Sequence, residues 1–283
     1  MQSDTADCVI PFIRAGKLIL VQGKVDTTQG NFVLDTGAPE LVLNSTYFRD
    51  YPVTETHMEE RRAITATSSL AQRTMVEKFQ LGTFHYFRIE ADMVSLGHIE
   101  NLRGVKILGL LGVSLFRECE LIIDPVNQVL RLHHIRKKEA KVYQSPLLKD
   151  SSTYITYPFD LKDNRILVKA QIAGREVKFV LDCAAETNLV DSRLPQKVLD
   201  SIAIIGRIFL TGSEAAKKEA LSGTIPWLSI GPLMVKRLPV VITSLANTCF
   251  DGVDCIGGVL GDDFLSRYQI AFNFVTCKMY IWR

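Results

Sequence analysis

The stretch Phe32-Val33-Leu34-Asp35-Thr36-Gly37-Ala38 nearly recurs as Phe179-Val180-Leu181-Asp182-Cys183-Ala184-Ala185. In each copy an apolar strand pattern runs straight into an aspartate. A lone buried carboxylate is strongly unfavourable. Two such strands in one chain therefore point to two carboxylates that meet. Carboxylates that meet share a proton, so one can act as base while the other acts as acid.

The likeness extends outward from the aspartates, which lie 147 residues apart (182 − 35). Leu18-Ile19-Leu20-Val21 leads toward Asp35, and Ile166-Leu167-Val168 leads toward Asp182. Asp26-Thr27-Thr28-Gln29-Gly30 and Ala173-Gly174-Arg175-Glu176 follow as hairpin turns. Leu81-Gly82 then matches Ile230-Gly231, and Leu108-Gly109-Leu110-Leu111-Gly112 matches Gly257-Gly258-Val259-Leu260-Gly261. Each of the latter blocks continues into a short amphipathic stretch with Leu115-Phe116 or Phe264-Leu265. Each copy closes on two strands around a turn: Glu120 to Asp124 with Gln128 to Leu132, and Tyr268 to Asn273 with Lys278 to Trp282. The offset has grown only to 149 (261 − 112), and chance likeness between short β patterns does not hold register so far. Short strands punctuated by Gly, Asp and Asn predict a mainly β chain. The best helical segments are Ser45 to Asp50 and Ser192 to Ile202. Residues 1–135 read as an N-terminal lobe with Asp35, 136–151 as a linker, and 152–283 as a C-terminal lobe with Asp182. The run from His133 to Lys141 reads as a solvated linker or strand-exit segment; its adjacent histidines lack a carboxylate or cysteine at metal-binding spacing.

Composition narrows the function classes. With 283 residues, 47% apolar and 23% charged, the chain can bury a substantial core. A net charge of +2 gives no case for a nucleic-acid partner. The longest apolar stretch, Ile107 to Phe116, has about half the length needed to span a bilayer. No signal peptide is visible at Met1-Gln2-Ser3-Asp4, which reads as a mature or trimmed start. Six cysteines are present without a Cys-x-x-Cys pair. Cys249 and Cys255 flank a short loop, where a hairpin disulfide and two reduced thiols are both compatible with the spacing.

The two-copy layout, Asp35-Thr36-Gly37-Ala38 and the glycine blocks at Leu110-Leu111-Gly112 and Val259-Leu260-Gly261 resemble aspartic peptidases. Ala38 after Asp-Thr-Gly is similar to the retropepsin-type motif, and the duplication within one chain is similar to pepsin-like chains. The resemblance runs from about Lys17 to the C-terminus. It implies two homologous acid-protease-type β-barrel lobes with a central cleft. It further implies an aspartic-type endopeptidase that hydrolyses peptide bonds through a water activated by Asp35 and Asp182, with a bell-shaped pH profile on the acid side. Neither cofactor nor metal is implied. The expected partner is a polypeptide substrate in the interlobe cleft of a monomer, and the expected setting is export to the periplasm or the extracellular space.

Family logic gives the neighbouring residues orienting roles. Thr36 would bond across to the other lobe, and Gly37 would place a backbone N–H on the carboxylate. Cys183 and Ala184 depart from the motif in the second copy. A thiol is a weak hydrogen-bonding group, and Ala184 is compatible only at negative φ. On these grounds the second half-site also admits a lapsed, peptide- or ligand-binding protein on the same fold, or another hydrolytic use of the cleft. Glu186 reads either as a cleft residue favouring basic substrates or as a solvated loop carboxylate. Arg61 to Glu77 falls where the family has its flap hairpin, with Thr65 to Ser69 at the tip and no tyrosine. Gly206 to Ala216 would be the second copy's equivalent, with Thr211-Gly212-Ser213 at its tip. No Ser-His-Asp arrangement is recognisable among the five histidines.

Overall fold

Both aspartate strands are covered on both faces. Phe32, Val33 and Leu34 are buried at the end of Thr28–Leu34, as are Phe179, Val180 and Leu181 at the end of Arg175–Leu181. An unalternating apolar run needs such two-sided cover. The preceding strands, Leu18–Val25 and Arg165–Ile172, are buried on both faces near the aspartates and then alternate, with Lys24, Lys169 and Gln171 facing solvent. The computed structural model describes residues 2–3, 6–56, 72–211, 217–245, 249–250 and 254–282. It is 56% strand and 8% helix and closes into two six-strand β-barrels.

Each aspartate strand runs parallel to a glycine-block strand. Phe32, Val33 and Leu34 pair with Gly109, Leu110 and Leu111; Phe179, Val180 and Leu181 pair with Gly258, Val259 and Leu260. On its other side each glycine-block strand takes an antiparallel partner, Leu41–Asn44 or Leu189–Asp191. Glycine is required at the ends of these blocks for room. A Cβ at Gly112 would lie 2.0 Å from the Glu40 carbonyl oxygen, and one at Gly261 would lie 2.4 Å from that of Ala185.

Backbone conformation repeats along with the pairing. Positive φ recurs at Asp26 and Ala173, Gly82 and Gly231, Arg88 and Arg237, and Gln128 and Cys277. The first pair is 147 apart (173 − 26) and the other three are 149 apart (231 − 82, 237 − 88, 277 − 128). A non-glycine residue at positive φ is uncommon, so its recurrence at fixed offsets records one architecture used twice.

The halves share a sheet. Cys119–Asp124 pairs with Ile270–Asn273, Val129–His134 pairs with Asp7–Ala15, and Tyr154–Pro158 pairs with Lys278–Trp282. Beneath it Phe159 sits 6.2 Å from Phe272 and 5.9 Å from Phe274, edge to face. One hydrophobic cluster runs from Cys8 to Ile281 through both halves.

Several expectations need correction. Ser45 to Asp50 forms turns, because the Asn44 side chain accepts the Thr46 N–H and the backbone turns at Tyr47 and Tyr51. Of Ser192 to Ile202 only Gln196–Leu199 is helical, after Pro195. An unexpected helix spans Gly97–Arg103. His133 and His134 end a strand, in line with the strand-exit reading, and His133 stacks on Tyr143 at 4.3 Å. The segment after them is anchored: Tyr143 donates to the buried Glu120 carboxylate, and Leu148 is buried. Cys255 is disulfide-bonded, with Cys249 opposite it in the strand register; Cys8, Cys119, Cys183 and Cys277 are free. Residues 57–71 and 212–216, which hold the tips of both flap candidates, lie outside the described residues. Among the described residues, no helix is long and apolar enough to cross a membrane, and no group of three His, Cys, Asp or Glu is placed to hold a metal ion.

Candidate active site

Each aspartate lies just past its strand, where the chain turns back. The Asp35 N–H donates to the Leu111 carbonyl (3.1 Å) and the Asp182 N–H to that of Leu260 (3.0 Å). The turns then fold onto the side chains. Gly37 and Ala38 both donate backbone N–H to Asp35 Oδ1 at 2.9 Å; Ala184 and Ala185 do the same for Asp182 Oδ1 at 2.9 and 3.0 Å. Backbone donors of this kind fix a carboxylate more firmly than a flexible side chain can.

The two loops grip each other with reciprocal bonds. Thr36 Oγ1 donates to the Leu181 carbonyl (2.9 Å) and accepts the Cys183 N–H (3.0 Å). Cys183 Sγ donates to the Leu34 carbonyl (3.2 Å) and accepts the Thr36 N–H (3.4 Å). The thiol thus makes both bonds of its threonine counterpart, at sulfur lengths. Burial, the largest influence, pushes the Cys183 thiol well above its ordinary value, so it stays protonated and able to donate. We expect Cys183→Thr to stabilise the fold by about 1 kcal/mol, because a hydroxyl is the stronger donor in the same place. Urea unfolding checks this, and a lower midpoint would show that the sulfur is retained for packing. Ala184 is not at positive φ, which meets the condition set by its methyl group.

The grip sets the two carboxyl groups side by side, with Asp182 Oδ2 only 2.4 Å from where a Cβ on Gly37 would lie. Both retain some solvent exposure, yet protein atoms crowd each carboxyl. Asp35 is pushed up to about 8, first by burial and next by the negative charge of Asp182. Asp182 is also raised by burial, against the pull of its backbone donors, the Asp35 proton and Arg165. Both carboxyls are thus raised, and the two titrate as one pair.

Charged side chains bridge the halves nearby. Arg14 pairs with Asp262 at 2.8 Å, Lys17 with Asp263 at 2.6 Å, and Arg103 with Glu186. Lys17 Nζ also donates to the Glu186 carbonyl at 2.9 Å. Glu186 is therefore a partly solvated loop carboxylate whose cation is Arg103 of the other half. On the other side Arg165 Nε donates to the Gly37 carbonyl at 3.2 Å, and Asn164 Nδ2 donates to Glu40 at 3.4 Å. Sequence reading missed Arg165. Its available signal was Asp163-Asn164, a two-residue turn pair between short strands, and both residues adopt positive φ (46° and 54°). A cavity of about 260 Å³ beside the first loop is lined by Glu40, Leu41, Tyr86, Ile89, Ser114 and Leu115 among others, and by neither aspartate.

Residues 21–115, the segment that carries Asp35, match the family model described as aspartyl protease. The match is to an aspartyl protease model, and the two six-strand barrels fit a two-lobe, duplicated chain. It supports a peptidase in general terms. A search of curated proteins returns no match.

Proposed function

Taking the aspartyl protease match as premise, we propose that this chain is an aspartic-type endopeptidase with Asp35 and Asp182 as its dyad. The observation that carries the reading is the shared holding of the two carboxyls. Each is fixed by two backbone N–H groups, and the loops that carry them are bonded to each other through Thr36 and Cys183.

The division of labour assigns the pair's one proton to Asp35, which burial and the neighbouring charge of Asp182 raise to about 8. Ionised Asp182 takes a proton from a water lying between the carboxyls as its oxygen attacks the peptide carbonyl. Protonated Asp35 donates to the carbonyl oxygen as negative charge develops there. Collapse of the tetrahedral intermediate returns the Asp182 proton to the leaving nitrogen. Thr36, Gly37, Cys183 and Ala184 keep the two carboxyls in register. The substrate would lie as an extended polypeptide between the lobes 1–135 and 152–283 of a monomer, joined through 136–151. Export is part of the same proposal, supported by the disulfide at Cys255.

The singly protonated pair is lost on the alkaline side as Asp35 ionises, near pH 8. The profile therefore extends from the acid side toward neutrality. Cleavage of an unfolded polypeptide between pH 3 and 8, with and without a pepstatin-type inhibitor, tests the proposal. We expect cleavage, inhibition, and a loss of at least ~10³-fold in Asp182→Asn, within the range for removing a proton-transfer group. Binding of peptides without cleavage would replace this reading with a binding protein. Full activity in Asp182→Asn would remove Asp182 from the dyad.

A further inference from the structure

Arg165 is the basic side chain nearest the aspartate pair that the mechanism above does not use. It leaves the start of Arg165–Ile172 directly after the Asp163-Asn164 turn, so a tight hairpin sets its origin. Its Nε reaches from the second half to the Gly37 carbonyl in the first. The N–H of that same glycine holds Asp35 Oδ1 at 2.9 Å. Gly37 is thereby pinned at both its donor and its acceptor, one end on Arg165 and the other on the Asp35 carboxyl. Asn164, from the same turn, makes a second crossing to Glu40 five residues past Asp35.

The repeat does not require this arginine. Leu20 pairs with Val33 in the first copy as Leu167 pairs with Val180 in the second, so Leu18 occupies the place of Arg165. Leu18 is buried in an apolar cluster. The fold accepts a hydrocarbon there, yet the second copy carries a cation. Acidic groups face that cation from every element around it: Asp163 in its own turn, Asp35 and Asp182 in the two loops, and Glu40 against the neighbouring Asn164. A dyad sharing one proton carries one net negative charge, and a buried charge needs a partner.

We propose that Arg165 is a positioning residue of the dyad, which fixes Gly37 and supplies the positive charge that keeps the carboxyl pair singly ionised in acid. The inference rests on the aspartic peptidase reading. Its sign is direct, since a nearby cation favours the ionised member of the pair. Asp182 is lowered by Arg165, in opposition to the burial that raises it. Arginine suits the task because its planar fork carries both the charge and the N–H that reaches the Gly37 carbonyl.

The test is the pH profile of kcat/KM for the full chain, Arg165→Gln and Arg165→Lys on an unfolded polypeptide, with far-UV circular dichroism on each. In Arg165→Gln the acid limb is expected to move up by about one pH unit, as for loss of an opposite charge nearby. Below the limb this is a roughly tenfold extra loss relative to the plateau. Arg165→Lys keeps the charge, so its limb stays near the wild type while its plateau falls with the lost Gly37 contact. A purely structural role would lower kcat/KM equally at every pH, and a Gln limb that does not move overturns the proposal. If the Gln variant does not fold, the Lys variant decides, and a Lys limb displaced by the full unit overturns it. Carbon-13 NMR titration of the aspartate carboxyls is run on the same proteins and needs no turnover. If the wild type cleaves nothing, the peptidase reading fails, while this titration still judges Arg165. If the wild type cleaves and neither limb nor titration moves in Arg165→Gln, the Arg165 proposal fails alone.

Discussion

Asp35→Asn is expected to leave less than about one thousandth of the cleavage rate and, at the same time, to make the protein melt higher at neutral pH. The loss has a simple cause. Asn can donate a hydrogen bond but cannot pass a proton on, and the pair needs one member that can. The gain follows from burial. Asp35 is pushed up to about 8, mainly by burial and then by Asp182. Its folded-state value thus exceeds its unfolded value, so its stability contribution is complete in acid and is lost as pH rises from about 4 through about 8. Asn is nearly isosteric with the protonated acid and does not titrate. Calorimetric melts should therefore agree to within about a degree at pH 4 and favour Asn by several degrees at pH 8. Equal melting points at pH 8 would mean that Asp35 is not held protonated. This is the stability cost expected of a preorganised site, carried at a residue of the proposed dyad.

Gly37→Ala should inactivate the protein by about 100-fold or more while leaving it folded. Gly37 is not at positive φ, so alanine meets no backbone strain there. The obstacle is space. A Cβ at Gly37 would lie 2.4 Å from Asp182 Oδ2 and 2.5 Å from its Cγ. Asp182 must move out of its place beside Asp35. The corresponding residue of the second half is already alanine, with the same N–H bond to its own aspartate at 2.9 Å. Equivalent positions thus carry unequal constraints, and Ala184→Gly should change kcat/KM by less than about threefold. Kinetics with a thermal melt on each variant separates a displaced carboxylate from an unfolded lobe. A Gly37→Ala protein with wild-type kcat/KM would show that Asp182 has room to shift without loss.

Much of this was written locally in the chain. The two apolar runs ending in aspartate, the glycine blocks and the hairpin turns are short strings whose meaning lies in strand periodicity and steric room. Those strings gave the duplication, the mainly β class and the two aspartates. The helical segment at Ser45 to Asp50 failed because a side-chain cap from Asn44 competes with the helix ladder. The repeated positive φ at Arg88 and Arg237 was equally hidden, since arginine carries no signal for it.

The sequence by itself thus determined that two half-sites exist and that they differ at Cys183 and Ala184. Only the tertiary structure decided that the difference is compensated, with a thiol making both bonds of a threonine. It also decided that Arg165 reaches Gly37 and that Arg103 takes Glu186. Periodicity and turn chemistry act over a few residues. Which charged groups meet across two lobes, and at what distance, depends on how the barrels pack, and no local spacing carries that.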